Sequence, residues 1–172
     1  DDAVAYCKWK GRRLPTEAEY EYVMRSGNSN TIYTWGNEPV DSGKHKANIW
    51  QGNFPSKNIL EDEFYYTSPV KSFDKNDFGL FDISGNVWEW CSDLYHSDYY
   101  STISNGIANN PIGPIKSFDP NDPFSSKRVM RGGSFLCNDS YCSGFRNSMR
   151  MKSTPDSSSQ HVGFRTVVDV KS

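Results

Sequence analysis

Residues 128–150 read RVMRGGSFLCNDSYCSGFRNSMR, placing Cys137 and Cys142 five positions apart between a glycine pair and a cluster of arginines. That separation is too wide for the C-x-x-C of thioredoxin-type redox sites or zinc knuckles. No second cysteine pair with zinc-like spacing accompanies it, which argues against a four-ligand zinc site. Two thiols on one loop then have two uses: they close a disulfide, or they offer a soft, low-coordinate pair of sulfurs that favours Cu(I) over harder ions. Spacing alone does not choose between them. Just before the pair, Gly132 and Gly133 open backbone conformations closed to residues with a Cβ, or let another chain approach closely, and Ser134 adds a hydroxyl. The combination suits a groove that receives something.

Working outward, the opening residues predict two helices. Asp1 and Asp2 read as the acidic first turn of a short helix carrying Ala3, Val4 and Cys7 and stopped by Gly11. Thr16 followed three residues later by Glu19 predicts a capping box, and Gly27 ends that helix, with Tyr20, Val23 and Met24 facing inward and Glu17 and Glu21 outward. From 28 to 127 the helical period gives way to Gly, Pro, Asn and Asp punctuation with scattered aromatics. Short strands are expected at 68–73, 87–91, 128–135 and 163–168. Segment 92–126, rich in Ser, Asn, Pro and Tyr, reads as a rim over a groove or as an insertion without a role. A loop-rich chain of this kind needs its backbone pinned, and calcium, with its many oxygen ligands, suits that task.

The 172 residues make one domain, with a modest 35% hydrophobic share and a high 15% aromatic share, so a core of Trp and Tyr wedges under long loops is expected. A formal charge of −2 with interspersed signs leaves no electrostatic footprint for nucleic acid or an anionic membrane surface. No apolar run reaches the length that spans a bilayer. Cys7 and Cys91 stand apart from the pair and are expected as buried free thiols.

The run RGGSFLCNDSYCSGFRNSMR, with TPDSSSQHVGFR after it, closely resembles the active-site segment of the formylglycine-generating enzymes, also called sulfatase-modifying factors. The resemblance extends through DDAVAYCKWKGRRLPTEAEYEYVMRSG, TWGNE, KANIWQGNFP, GLFDISGNVWEW and GFRTV. Relatives share GNVWEW and GFR without the cysteines, so the retained pair is the more specific sign and points to the catalytic branch. The resemblance implies an α+β, loop-rich, C-type-lectin-like fold, with two helices on a twisted antiparallel core. It also implies that 1–172 is a single catalytic domain lacking its N-terminal portion.

The activity implied is conversion of a cysteine in a C-x-P-x-R segment of an unfolded sulfatase to formylglycine, using dioxygen and a thiol reductant. Cys137 and Cys142 are then the Cu(I) ligands, with Cys142 the more buried and Cys137 nearer substrate. Ser134, Tyr141 and Trp88 complete the catalytic set, and Arg150 and Ser158 stand on the substrate side. Arg146 is assigned to structure, through Asp139 or Asp156, and His161, where relatives often have Asn, is not counted as a ligand. Position 138 is Asn where relatives commonly have His, so a titrating group beside the first cysteine is absent. Two calcium sets follow from the same resemblance: Asn48, Ile49, Asp62 and Phe64, and Asp82, Gly85, Val87 and Glu89. A prokaryotic cytoplasmic setting is favoured over a secreted or periplasmic one. The alternatives are a non-catalytic binding or structural module on the same fold with a plain Cys137–Cys142 disulfide, and a thiol-oxidising branch whose iron ligands lie on a separate domain.

Overall fold

The computed structural model describes residues 1–103 and 106–170. Helices α1 (Asp2–Trp9) and α2 (Glu17–Arg25) open the chain. The capping box is closed on both sides: the Glu19 amide donates to Thr16 Oγ1 at 3.1 Å, and the Thr16 amide donates to the Glu19 carboxylate at 2.8 Å. Ser26 and Gly27 both take positive φ, 49° and 77°, and together end α2.

A two-stranded hairpin of β1 (Gly52–Asn53) and β2 (Lys57–Asn58) precedes the main sheet. That sheet joins β3 (Trp88–Leu94), β4 (Arg128–Arg131), β5 (Met151–Ser153) and β6 (Val162–Gly163) in the order β5-β4-β3-β6, and a third short helix, α3 (Tyr99–Ile103), lies between β3 and β4 in sequence. The architecture is α+β and loop-rich, as the resemblance implied, but β6 runs parallel to β3, so the sheet is mixed rather than antiparallel.

Three expected strands are corrected, that at 128–135 stopping at Arg131 where the Gly132–Gly133 turn begins. Residues 68–73 form turns, because Pro69 lacks a ladder donor, Lys71 takes a left-handed φ of 68°, and the Lys71 amide is drawn to the Asp82 carboxylate at 2.7 Å. The strand at 163–168 shrinks to β6 and an isolated bridge between Arg13 and Val167.

The alternation of β3 organises the interior. Its odd-numbered residues face α2: the Tyr20 hydroxyl donates to Glu89 at 2.9 Å, Cys91 packs with Tyr20, Met24, Ile83 and Val129, and Asp93 accepts from the Glu17 amide at 2.8 Å. Trp88 and Trp90 face the other way, where Trp88 joins Tyr33, Ala47, Ile49, Met130, Cys137 and Phe145 in a second cluster. Helix and cysteine loop therefore sit on opposite faces of one strand pair.

Glu17, expected outside, is instead 1% exposed, because Arg131, opposite Glu89 in the ladder, buries its guanidinium completely. Arg131 Nη1 donates to Glu17 at 3.0 Å and Nη2 donates to Glu21 at 2.8 Å and to the Asn147 carbonyl. Arg150 reaches the same Glu17 carboxylate through Nε at 2.6 Å and Nη2 at 2.8 Å. Removing one member of such a group leaves an uncompensated buried charge. Glu17→Ala is expected to lower stability in urea unfolding by about 3–5 kcal/mol, more than Arg150→Ala, whose guanidinium is less buried.

Burial pushes the Asp93 carboxyl pKa up. A folded-state value above the unfolded one means that ionised Asp93 opposes folding at neutral pH, and the opposition fades as pH falls through the raised value. Asp93→Asn, which keeps an acceptor for the Glu17 amide, is expected to be more stable than the parent at pH 7, with the difference shrinking on acidification in a pH series of thermal unfolding.

Candidate functional site

The chain leaves β4 through a gap that admits only glycine. Gly132 and Gly133 have φ of 92° and 78°; a Cβ on the first would lie 2.7 Å from the Tyr20 hydroxyl, and one on the second 2.6 Å from the Phe145 amide nitrogen. The turn delivers Ser134, buried, with its Oγ 3.8 Å from Cys137 Sγ. Cys137 and Cys142 are joined in a disulfide with Cα atoms 5.3 Å apart. The expected order of burial is reversed: Cys137 is 1% exposed and Cys142 only partly buried. The reason is that Cys137 lies under Trp88 and Gly144. A methyl group at Gly144 would sit 2.4 Å from the indole and 3.0 Å from Cys137 Sγ.

Tyr141 is 68% exposed and stacks on Phe54, with ring centroids 4.4 Å apart. Phe54 in turn meets Trp50 edge-on at 5.2 Å, and the Trp50 amide donates to the Cys137 carbonyl at 2.9 Å. An aromatic surface thus runs from the cysteine loop to the β1–β2 hairpin. Phe54 and Gly144 were missed in the sequence because their roles come from segments far away in the chain; only the glycine two positions after the second cysteine was a signal. Arg146 pairs with Asp139 at 2.9 Å, the structural role expected of it.

Arg150 and Ser158 are not brought to the cysteines. Arg150 is held by Glu17, the His96 carbonyl at 3.2 Å and the rings of Tyr95 and Tyr100, because the buried acid on α2 is its nearest counter-charge. Ser158 is exposed and lines a separate cleft of about 420 Å³ with Trp90 and Phe164, whose walls include no residue of the cysteine loop. His161 bonds Ser159 Oγ through Nδ1 at 2.6 Å, and burial pulls its pKa down. Cys7 and Cys91 are free and buried, and burial raises both thiol pKa values.

The two calcium sets differ in their suitability. In the first, Asp62 accepts from the Ile49 and Phe64 amides, both at 3.0 Å, which gathers the four residues together. Asn48 Oδ1 is buried beside them without a partner among the described residues, the condition a hard cation would relieve, although the Ile49 carbonyl already accepts from the Gln51 side-chain Nε2. In the second, Asp82 Oδ1 is likewise unpartnered, but Glu89 is met by Arg165 and by Tyr20. A cation there would share that carboxylate with a guanidinium, so the first set fits better. Among the described residues neither set gathers three His, Cys, Asp or Glu side chains; their remaining donors are Asn and backbone carbonyls.

A disulfide raised on a glycine turn, roofed by an indole and flanked by the exposed Tyr141 on Phe54, on a mixed sheet with little regular structure, defines a loop-rich α+β domain with a sulfur-centred site. The chain belongs to the sulfatase-modifying factor enzyme 1-like family, FGE-sulfatase, whose description matches residues 1–170. It is 46% identical over 169 residues to the formylglycine-generating enzyme of Thermomonospora curvata, covering 98% of this chain and 53% of that one. It is 38% identical over 168 residues to a mouse relative named inactive C-alpha-formylglycine-generating enzyme 2, covering 96% of this chain and 46% of that one. The solved structure of PvdO from Pseudomonas aeruginosa superposes with a TM-score of 0.70 at 27% identity, covering 96% of this chain and 57% of that one. The chain thus spans about half the length of the curated relatives it matches.

Two outcomes check this geometry. A thiol assay on denatured protein is expected to find two reactive thiols before reduction and four after it, since Cys7 and Cys91 are free and the chain has four cysteines. Gly144→Ala is expected to lower stability by about 1–3 kcal/mol through overpacking, with a change in Trp fluorescence as Trp88 is displaced from Cys137.

Proposed function

We propose that this chain carries the catalytic portion of a formylglycine-generating oxidase, acting on a cysteine within a C-x-P-x-R segment of an unfolded sulfatase. The observation that supports it most is the Cys137–Cys142 pair, within reach of the buried Ser134 hydroxyl and the Trp88 ring. In the overall change, the substrate CH2–SH and dioxygen, with two electrons and two protons from a thiol reductant, become an aldehyde, hydrogen sulfide and water. The bridge between Cys137 and Cys142 first takes up two electrons and two protons from the same class of reductant. A prokaryotic cytoplasm, kept reducing by low-molecular-weight thiols, suits that step.

Once reduced, Cys137 and Cys142 would hold Cu(I), which supplies a soft centre for a thiolate and exchanges electrons with dioxygen. Ser134 is placed to donate a hydrogen bond to the Cys137 thiolate. Trp88 and Phe145 keep water from Cys137. Cys142, the less buried sulfur, lies on the side a polypeptide can approach, and the exposed Tyr141 ring offers that polypeptide an apolar face and a hydroxyl. Asn48, Ile49, Asp62 and Phe64 would hold a calcium ion that ties together the loop carrying the β1–β2 hairpin, and Asp82, Gly85, Val87 and Glu89 would form a second, weaker site.

The observed bridge favours one competing reading, a binding module in which the disulfide is purely structural. Mass spectrometry of a C-x-P-x-R peptide incubated with the chain, Cu(I), a thiol reductant and air separates the two. The expected result is loss of the cysteine sulfur with gain of an aldehyde, abolished by Cys142→Ala. A peptide that binds but returns unchanged supports the module instead.

A further inference from the structure

Asn138 lies between the two cysteines and is only 7% exposed. Its Oδ1 accepts from the Tyr141 amide at 2.8 Å and from the Ser140 hydroxyl at 3.1 Å, closing the loop from within. Its Nδ2 donates to the Gly52 carbonyl at 3.1 Å, tying the loop to the β1–β2 hairpin. Because the Trp50 amide also donates to the Cys137 carbonyl at 2.9 Å, residues 137 and 138 are fixed at two points by residues 50–52. Among the described residues Cys142 has no main-chain hydrogen bond outside the loop, although it packs against the Trp88 and Phe145 cluster: its amide donates to the Asn138 carbonyl at 3.2 Å, as the Ser143 amide does at 2.9 Å.

Resting on the function proposed above, we propose that Asn138 is a positioning residue for the sulfur pair. Its side chain holds the turn at 138–141 so that Cys142 Sγ is presented to the fixed Cys137 Sγ, whether the two are to bond each other or to share a third partner. One carboxamide accomplishes this because it alone offers an acceptor to two loop donors and a donor to the Gly52 carbonyl. The sulfurs themselves make no such choice, since a five-residue separation leaves the turn between them free to take several shapes.

The test reads the pair directly and needs neither copper nor peptide, so it stands apart from the oxidation assay. The whole chain is equilibrated in glutathione buffers of stepped ratio, where oxidised glutathione takes two electrons and two protons from the dithiol and leaves as two thiols. Alkylation and intact mass then give the bridged fraction. Asn138→Ala is expected to lower the equilibrium constant for bridging about tenfold, the effect of losing two to three buried hydrogen bonds. Ser140→Ala, a mild change that removes one partner, is expected to shift the constant the same way by about threefold.

A side chain that merely stabilises the fold would destabilise the oxidised and reduced forms alike and leave the constant unmoved. Wild-type constants in Asn138→Ala and Ser140→Ala therefore overturn the proposal. If Asn138→Ala fails to fold, Ser140→Ala decides alone: an unmoved constant rejects the proposal and a reduced one supports it.

Discussion

Arg131 puts a full positive charge at the centre of the molecule, and a charge there needs counter-charges or carbonyls around it; these reach its two Nη atoms, while Nε has no partner among the described residues. Glu17 and Glu21 supply two of them from α2 and the Asn147 carbonyl a third from beyond the cysteine loop. Meeting the two Nη groups of one guanidinium therefore fixes helix, sheet and loop relative to one another. The constraint reaches the next residues directly, since Gly132 and Gly133 must thread between Tyr20 on α2 and the Phe145 backbone. The position of Cys137 follows from that passage.

The two faces of β3 do different work for a physical reason. On the α2 side, buried polar groups carry the load: Glu89 is shared by Arg165 and Tyr20, and Asp93 accepts from the start of the helix. On the opposite side the interactions are apolar, with Trp88 and Phe145 excluding water from Cys137 while Tyr141 stays exposed. A disulfide makes few demands on polar partners and packs well among rings, whereas a guanidinium needs oxygen atoms around it. One pleated strand separates the two environments by a single residue step.

Much of the fold was legible locally. The Thr16 capping box, the strand character of 87–91 and of 128–131, and the two lone buried thiols all appear where the sequence placed them, because each depends on neighbours within a few residues or on composition. The inward turn of Glu17 was not legible. Amphipathic periodicity assigns an acid to the outer face, and only a buried arginine more than a hundred positions away reverses that preference. Arg150 shows the same effect: its position near the cysteines in sequence suggested the site, yet Glu17 is the stronger attractor.

The sequence by itself determined the family, the α+β loop-rich class, the cysteine pair and the residue types around it, because those reside in motif spacing and local backbone preference. Tertiary structure decided which sulfur is covered, that Tyr141 rests on Phe54, that Asn138 joins its loop to Gly52, and that Arg150 belongs to the helix network. Those outcomes depend on burial and on hydrogen-bond partners brought together from distant segments. Whether a polar group is costly or stabilising is set by what surrounds it after folding, which no single stretch of chain contains.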